Sequence, residues 1–310
     1  MTPPHKAIPI DWGSLAPLRL RARTVAEGVY AGAHRSLRRG SGVEFGGHRP
    51  YAPGDDLRFL DRRALLRHDR LLVREFETDT DRALWLVLDA SASMAHRGSG
   101  APGAKLAFAA LVAAALARVA LASGDPIGLG WLGGHGVHPL GAVAGREAFD
   151  RVLSALESAR AAGELAAEPA AVDRALASVA RRARRGAIIV LLSDLLDLPE
   201  TMLARFTALA SAGRVLVAVQ VLDPEEHAFP FTGTVRLRAL EGPVIVQTDA
   251  DATRARYLLS LESLRRLWAD RLRDVGGRLI CATTADDAAA LVRAIVACVA
   301  GRGTHEKEPS

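Results

Sequence analysis

Short runs of consecutive apolar residues alternate along this chain with longer stretches in which apolar positions recur every three or four residues. Ala83 to Leu88 is an apolar run ended by Asp89, Ala104 to Ala122 is a long apolar segment closing near Gly124, and Pro126 to Leu132 is a second run. Further on, Arg146 to Arg160 and Ala171 to Arg184 have helical spacing, Ala187 to Leu192 reads as a buried strand, Met202 to Ala212 as a helix and Arg214 to Leu222 as a strand. Val235 to Leu240 and Val244 to Thr248, separated by Glu241, Gly242 and Pro243, predict an inserted hairpin. Tyr257, Leu261, Leu264, Trp268 and Leu272 then share one helical stripe closed by Gly276, and Arg278 to Ala282 and Asp286 to Val299 supply a last strand and helix. Strands alternating with helices predict an α/β fold with an open, mostly parallel sheet and helices on both faces.

The first 80 residues have a different texture. Leu15 to Tyr30 has helical spacing, with Leu18, Val25 and Val29 on one side and Arg19, Arg21 and Arg23 around it. Gly40, Gly42, Gly46, Gly47, Pro50, Pro53 and Gly54 then interrupt any long element, and Leu71, Leu72 and Val73 suggest a short strand. The expected organisation is an arginine-rich segment over 1–80 packed on a main domain over 81–300, with the hairpin near 233–248 and a disordered tail over 301–310.

Composition supports a buried core: of 310 residues 49% are hydrophobic and 24% charged, which excludes a mostly disordered chain. The net charge of +5 raises nucleic acid as a partner, but it is unevenly spread. Between Arg19 and Arg74 stand 13 arginines against six acids, a local balance of +7 that leaves −2 for the rest. Cys281 and Cys298 lie in apolar stretches, read as inert core thiols rather than a disulfide framework. The longest apolar run, Leu106 to Ala117, is too short for a membrane span and reads as a buried helix in a cytoplasmic protein.

The string from Leu84 to Met94 carries the most chemistry. A buried strand delivers Asp89 to its carboxyl end, Ser91 and Ser93 follow at once, and Ser193 and Asp194 end a second strand. Open parallel sheets place ligand sites at such strand ends, and carboxylates with hydroxyls suit a hard cation.

Asp89-x-Ser91-x-Ser93 resembles the metal-ion-dependent adhesion site of von Willebrand factor A domains, with Asp194 matching the aspartate of its third motif. Arg49, Tyr51, Gly54, Asp55, Asp56, Arg58 and Asp61, followed by Leu72 to Glu77 and then the Asp-x-Ser-x-Ser-Met string, extend the resemblance to domain-of-unknown-function family 58, from about Leu15 to Val299. It implies a von Willebrand factor A-like sheet, Mg2+ or Mn2+ held by Asp89, Ser91, Ser93 and Asp194, and an acidic group of a partner filling the open position. It also implies work with a MoxR-type AAA+ ATPase in maturing or assembling a client protein. One position departs from the pattern: the slot expected to hold threonine falls at Ala170, which has no oxygen, with Glu168, Asp173 or a water as substitutes. The alternative is a closed site in which Asp89, Ser91 and Ser93 hydrogen-bond loop backbone without metal.

Other signals point to no enzyme. Gly98 to Lys105 misses the phosphate-loop pattern, because Ala104 precedes the lysine and Leu106 stands where Ser or Thr belongs. The nine histidines show no ligand spacing, and no nucleophile pairs with a base. Pro53-Gly54-Asp55 is turn chemistry that docks the segment or presents a polar surface. A nucleic-acid-binding role for Arg19 to Arg74 is the alternative function, weakened by the 5% aromatic content and the interleaved acids.

Overall fold

The computed structural model describes residues 7–33, 44–50, 72–77, 82–196, 198, 200–211, 213–238 and 245–300. They fall into two units, Met1–Ala31 with Asp81–Ser310, and Gly32–Thr80. The first unit begins with a two-residue strand, β1 (Ile8–Pro9), and helix α1 (Leu18–Ala33). Leu18, Ala22, Ala26 and Val29 of α1 are buried, a helical spacing that turns its arginines outward. Within the second unit, β2 (Glu44–Pro50) pairs antiparallel with β3 (Leu72–Glu77), so the strand expected at Leu71 to Val73 runs on to Glu77. Arg49 stands in β2 opposite Val73, whereas Tyr51, Gly54, Asp55, Asp56, Arg58 and Asp61 lie outside the described residues.

The first unit continues as β4 (Leu84–Asp89), α2 (Lys105–Ala122), β5 (Ile127–Leu132), β6 (Leu140–Val143) and α3 (Ala148–Ser158). There follow β7 (Arg160–Ala161), which pairs with β1, then α4 (Pro169–Arg182), β8 (Ile188–Ser193), α5 (Glu200–Ala208), β9 (Val215–Leu222) and the short α6 (Pro224–Ala228). The hairpin β10 (Thr234–Arg238) and β11 (Ile245–Asp249) precedes α7 (Ala250–Asp274), β12 (Arg278–Thr283) and α8 (Ala288–Ala300).

Six strands form one sheet in the order β12-β9-β8-β4-β5-β6, parallel except for β6, which runs antiparallel to β5. The α/β class and mostly parallel sheet expected from the hydrophobic pattern are present; β6, a short glycine-containing edge strand, carries too few apolar positions to be read in advance. The period of two along each strand divides the core. Leu84, Leu86, Leu88, Val190 and Val219 face one layer with Leu111 of α2, Leu153 of α3 and Val292 of α8, while Trp85, Val87, Ile189 and Leu191 face Val179 of α4, Phe206 of α5 and Trp268 of α7. Among the described residues one helix, α2, is long and apolar enough to cross a membrane, and it is mostly buried in this core.

Two details follow from the packing. β12 is an edge strand, and Cys281 on it is exposed, which corrects its reading as a core thiol; Cys298 is half-buried. Gly128 of β5 leaves room for the indole of Trp85, since a Cβ there would come within 2.5 Å of the ring. Gly128→Ala should therefore cost about 1–3 kcal/mol, seen as a lower urea midpoint at unchanged denaturant slope. An unchanged midpoint would mean that the indole can move aside.

Candidate functional site

The chain winds from β4 to β5 on one side and later to β8 on the other, so β4 and β8 flank the point where strand order reverses. Crevices at such points, beyond the carboxyl ends of the strands, are where open sheets bind ligands. Asp89 ends β4, and Ser193 and Asp194 end β8 beside it.

After Asp89 the backbone turns sharply. Ser91 N–H donates to Asp89 Oδ1 at 2.8 Å, Ala90 N–H to Leu132 O at 2.8 Å and Ala92 N–H to Gly163 O at 3.0 Å, which fixes the loop that presents the two seryl hydroxyls. Residues 92–95 then form one 3-10 turn. The Ser91 and Ser93 hydroxyls lie 3.0 Å apart, and Ser93 also bonds the Asp194 carboxylate. From β8, Ser193 Oγ donates to Asp89 Oδ2 at 2.6 Å and accepts from Leu195 N–H at 3.0 Å. Leu195 holds a left-handed φ of 62°, rare for a residue with a side chain, which turns the chain sharply just after Asp194. Gln220 Nε2 donates to Asp194 O at 3.0 Å and completes the support from β9.

The four residues expected to form a site, Asp89, Ser91, Ser93 and Asp194, are therefore brought together. Asp89, Ser91, Ser193 and Asp194 are all buried. One group was not anticipated. Lys105, at the first turn of α2, is fully buried and donates to Asp194 Oδ2 at 2.9 Å and to Glu226 Oε1 of α6 at 2.7 Å. Burial opposes its charge, but Asp194 and Glu226 outweigh burial and raise its pKa. Burial likewise pushes the Asp194 carboxyl upward, and the adjacent ammonium overcomes it, so that pKa is lowered. Asp89 has no such counter-charge: burial first, then the Asp194 charge, raise it to about 7 despite the Ser193 and Ser91 hydrogen bonds.

The signal for Lys105 was in the sequence. Of 40 basic residues only Lys6, Lys105 and Lys307 are lysine, so the body of the chain uses one lysine, placed where a charge enters an apolar helix. A slim ammonium stem can be buried whole where a forked guanidinium needs more room and more acceptors.

Two carboxylates and two adjacent hydroxyls, with Asp89 uncompensated by any cation among the described residues, match the donors of a hard divalent ion. The second-motif slot does not contribute. Ala170 is exposed at the start of α4, and Asp173, one of the substitutes considered, pairs with Arg205 instead. Of the arginine-rich segment, Arg19 pairs with Asp150 and Arg23 with Glu27.

A family model described as "Protein of unknown function DUF58" matches residues 47–265. Uncharacterized proteins of Mycobacterium tuberculosis and Mycobacterium bovis are each 30% identical over 280 residues, covering 88% of this chain and 85% of theirs. Among solved structures, the conserved hypothetical protein BatB from Bacteroides thetaiotaomicron is similar with a TM-score of 0.43 at 13% identity, over 71% of this chain and 99% of that one. An aerotolerance-related membrane protein from Bacteroides fragilis is similar with a TM-score of 0.41 at 15% identity, over 70% and 98%.

Proposed function

The chain belongs to the DUF58 family, which carries no assigned activity, and from that premise we propose that it is a non-enzymatic interaction module of the von Willebrand factor A type. The observation that carries the reading is the convergence of Asp89, Ser91, Ser93 and Asp194 at the switch point of the sheet. In this reading Asp89, Ser91, Ser93 and Asp194 hold Mg2+ or Mn2+. The ion supplies an open coordination position for an acidic group of a partner, which is an electrostatic docking point rather than a reaction centre. Ser91, Ser93 and Ser193 give their hydroxyls to carboxylates or to each other, and among the described residues none is bonded to an imidazole base, which fits binding better than nucleophilic catalysis.

The partner in this reading is a MoxR-type AAA+ ATPase, with the chain recruiting or presenting a client protein for maturation or assembly in the cytoplasm. Co-purification of the chain with the MoxR-type ATPase of its own genome, in Mg2+ and in EDTA, tests it. Recovery in Mg2+, loss in EDTA and loss with a folded Asp89→Ala variant is the expected pattern. Recovery that is indifferent to both the chelator and the substitution, or no recovery at all, would overturn the adaptor reading.

A further inference from the structure

A second cluster of ligand-type side chains lies at the same end of the sheet and has no part in the site above. His96 immediately follows the 3-10 turn that contains Ser93, while Asp223 and Glu225 stand just after β9 and at the start of α6. One ligand atom from each of the three lies within 4.8 Å of the others. Histidine spacing along the chain hides this group, because the fold joins residues more than 120 positions apart.

Three observations set the cluster apart from ordinary surface acids. Asp223 is fully buried, and among the described residues neither it nor Glu225 is in an ion pair with lysine or arginine, since Lys105 is committed to Asp194 and Glu226. Both carboxylates are held in place: Gly98 N–H donates to Asp223 Oδ2 at 2.7 Å, Glu225 N–H donates to Asp223 Oδ1 at 2.9 Å as Asp223 caps the start of α6, and Ser99 N–H and Oγ donate to Glu225 Oε1 at 3.0 and 2.6 Å. Glu225 Oε1 uses both its lone pairs on Ser99, which leaves Oε2 as the ligand atom of Glu225, and metal-bound carboxylates are commonly hydrogen-bonded in this way. Gly98 permits that approach, since a Cβ there would stand 2.3 Å from Asp223 Oδ1.

The His96 ring makes no hydrogen bond among the described residues, although its backbone is pinned on both sides, N–H to Ser93 O at 3.1 Å and C=O from Lys105 N–H at 3.0 Å. An imidazole held by its backbone, with no hydrogen-bond partner on its ring among the described residues, thus faces two oriented carboxylates: Glu225, whose pKa it helps to lower, and the buried Asp223, which has no lysine or arginine beside it.

The geometry points to a second metal site, in which His96, Asp223 and Glu225 bind a first-row transition ion of the zinc class. An imidazole nitrogen beside two carboxylates favours such an ion over Mg2+ or Ca2+, which prefer all-oxygen shells. Three protein ligands leave one position open. The ion would staple the loop after Ser93 to the end of β9, neutralising the buried Asp223. This site does not depend on the reading of the Asp89 site, whose ligands it does not share.

The test uses the full chain, stripped with EDTA, dialysed and then titrated with Zn2+, and separately with Co2+, in saturating Mg2+. The expected result is about one equivalent bound, with Co2+ giving a visible absorption band. His96→Ala should weaken both ions by roughly 100-fold, while His135→Ala and Asp89→Ala leave them unchanged. His96 is half-buried with an unbonded ring, so its variant should keep the fold, which circular dichroism checks; Glu225→Gln gives an independent second loss. No stoichiometric ion in the wild-type chain, equal binding by His96→Ala, or loss confined to Asp89→Ala would overturn the site.

Discussion

Lys105→Met should destabilise the chain by about 3–5 kcal/mol, the usual cost of removing one partner of a buried ion pair. Methionine keeps most of the stem volume, so the loss reports the charge rather than a cavity. Without the ammonium, Asp194 and Glu226 face each other across a site that already holds Asp89, and Asp194, only 3% exposed, has nowhere to turn for solvation. Such a loss is a large share of the 5–15 kcal/mol typical of a whole domain. Adding Asp194→Asn to Lys105→Met should recover much of it, because the orphaned charge goes with its partner. Lys105→Arg should not substitute, since a rigid fork with five donors does not match the two carboxylate oxygens that close on the compact ammonium. Urea midpoints of the three variants against the wild type check this, and a single Lys105→Met with the wild-type midpoint would refute it.

Stability in EDTA should fall as pH rises from about 4 to about 7, the reverse of ordinary acid denaturation. Asp89 is raised from 3.8 to about 7 in the folded chain, so across this window the unfolded chain releases a proton that the folded chain retains. The unfolded state then binds fewer protons, and stability drops by up to about 1.4 kcal/mol per pH unit before levelling off above 7. Asp194 acts in the opposite sense and in a different window: its pKa is lowered, so its contribution is present above the ordinary carboxylate value and is lost as pH falls below about 4. Asp89→Asn should accordingly flatten the decline between pH 4 and 7 and make the chain more stable than wild type at pH 8. Thermal melts of the two proteins from pH 4 to 8 measure the difference, and parallel profiles would contradict the assignment.

Much of this was legible in advance because it is local. The apolar run Leu84 to Leu88 with Asp89 behind it states both the strand and the place where a carboxylate emerges, and Ser91 and Ser93 fall within the turn that strand must make. The hairpin at β10 and β11 was equally legible, its two runs pairing in the register Val235 to Thr248 and Leu237 to Val246. What stayed hidden depends on distant segments meeting. Lys105 read as the end of a failed phosphate loop until Asp194 and Glu226, 89 and 121 positions away, closed around it. His96 carried no signal in its own neighbourhood, since its companions lie beyond β9. β6 is set by pairing with β5 rather than by its own pattern, and Cys281 is set by the edge position of β12.

The central claim is that the Asp89 site holds a hard divalent cation, and calorimetric titration of the metal-free chain with Mg2+ addresses it most directly. Mg2+ is the ion to use because the imidazole-containing cluster disfavours it. The account predicts saturable heat at about one equivalent in the wild type and none in a folded Asp89→Ala variant. No heat in the wild type, or the same heat in Asp89→Ala, would contradict it and leave a closed site held by hydrogen bonds and the Lys105 ammonium.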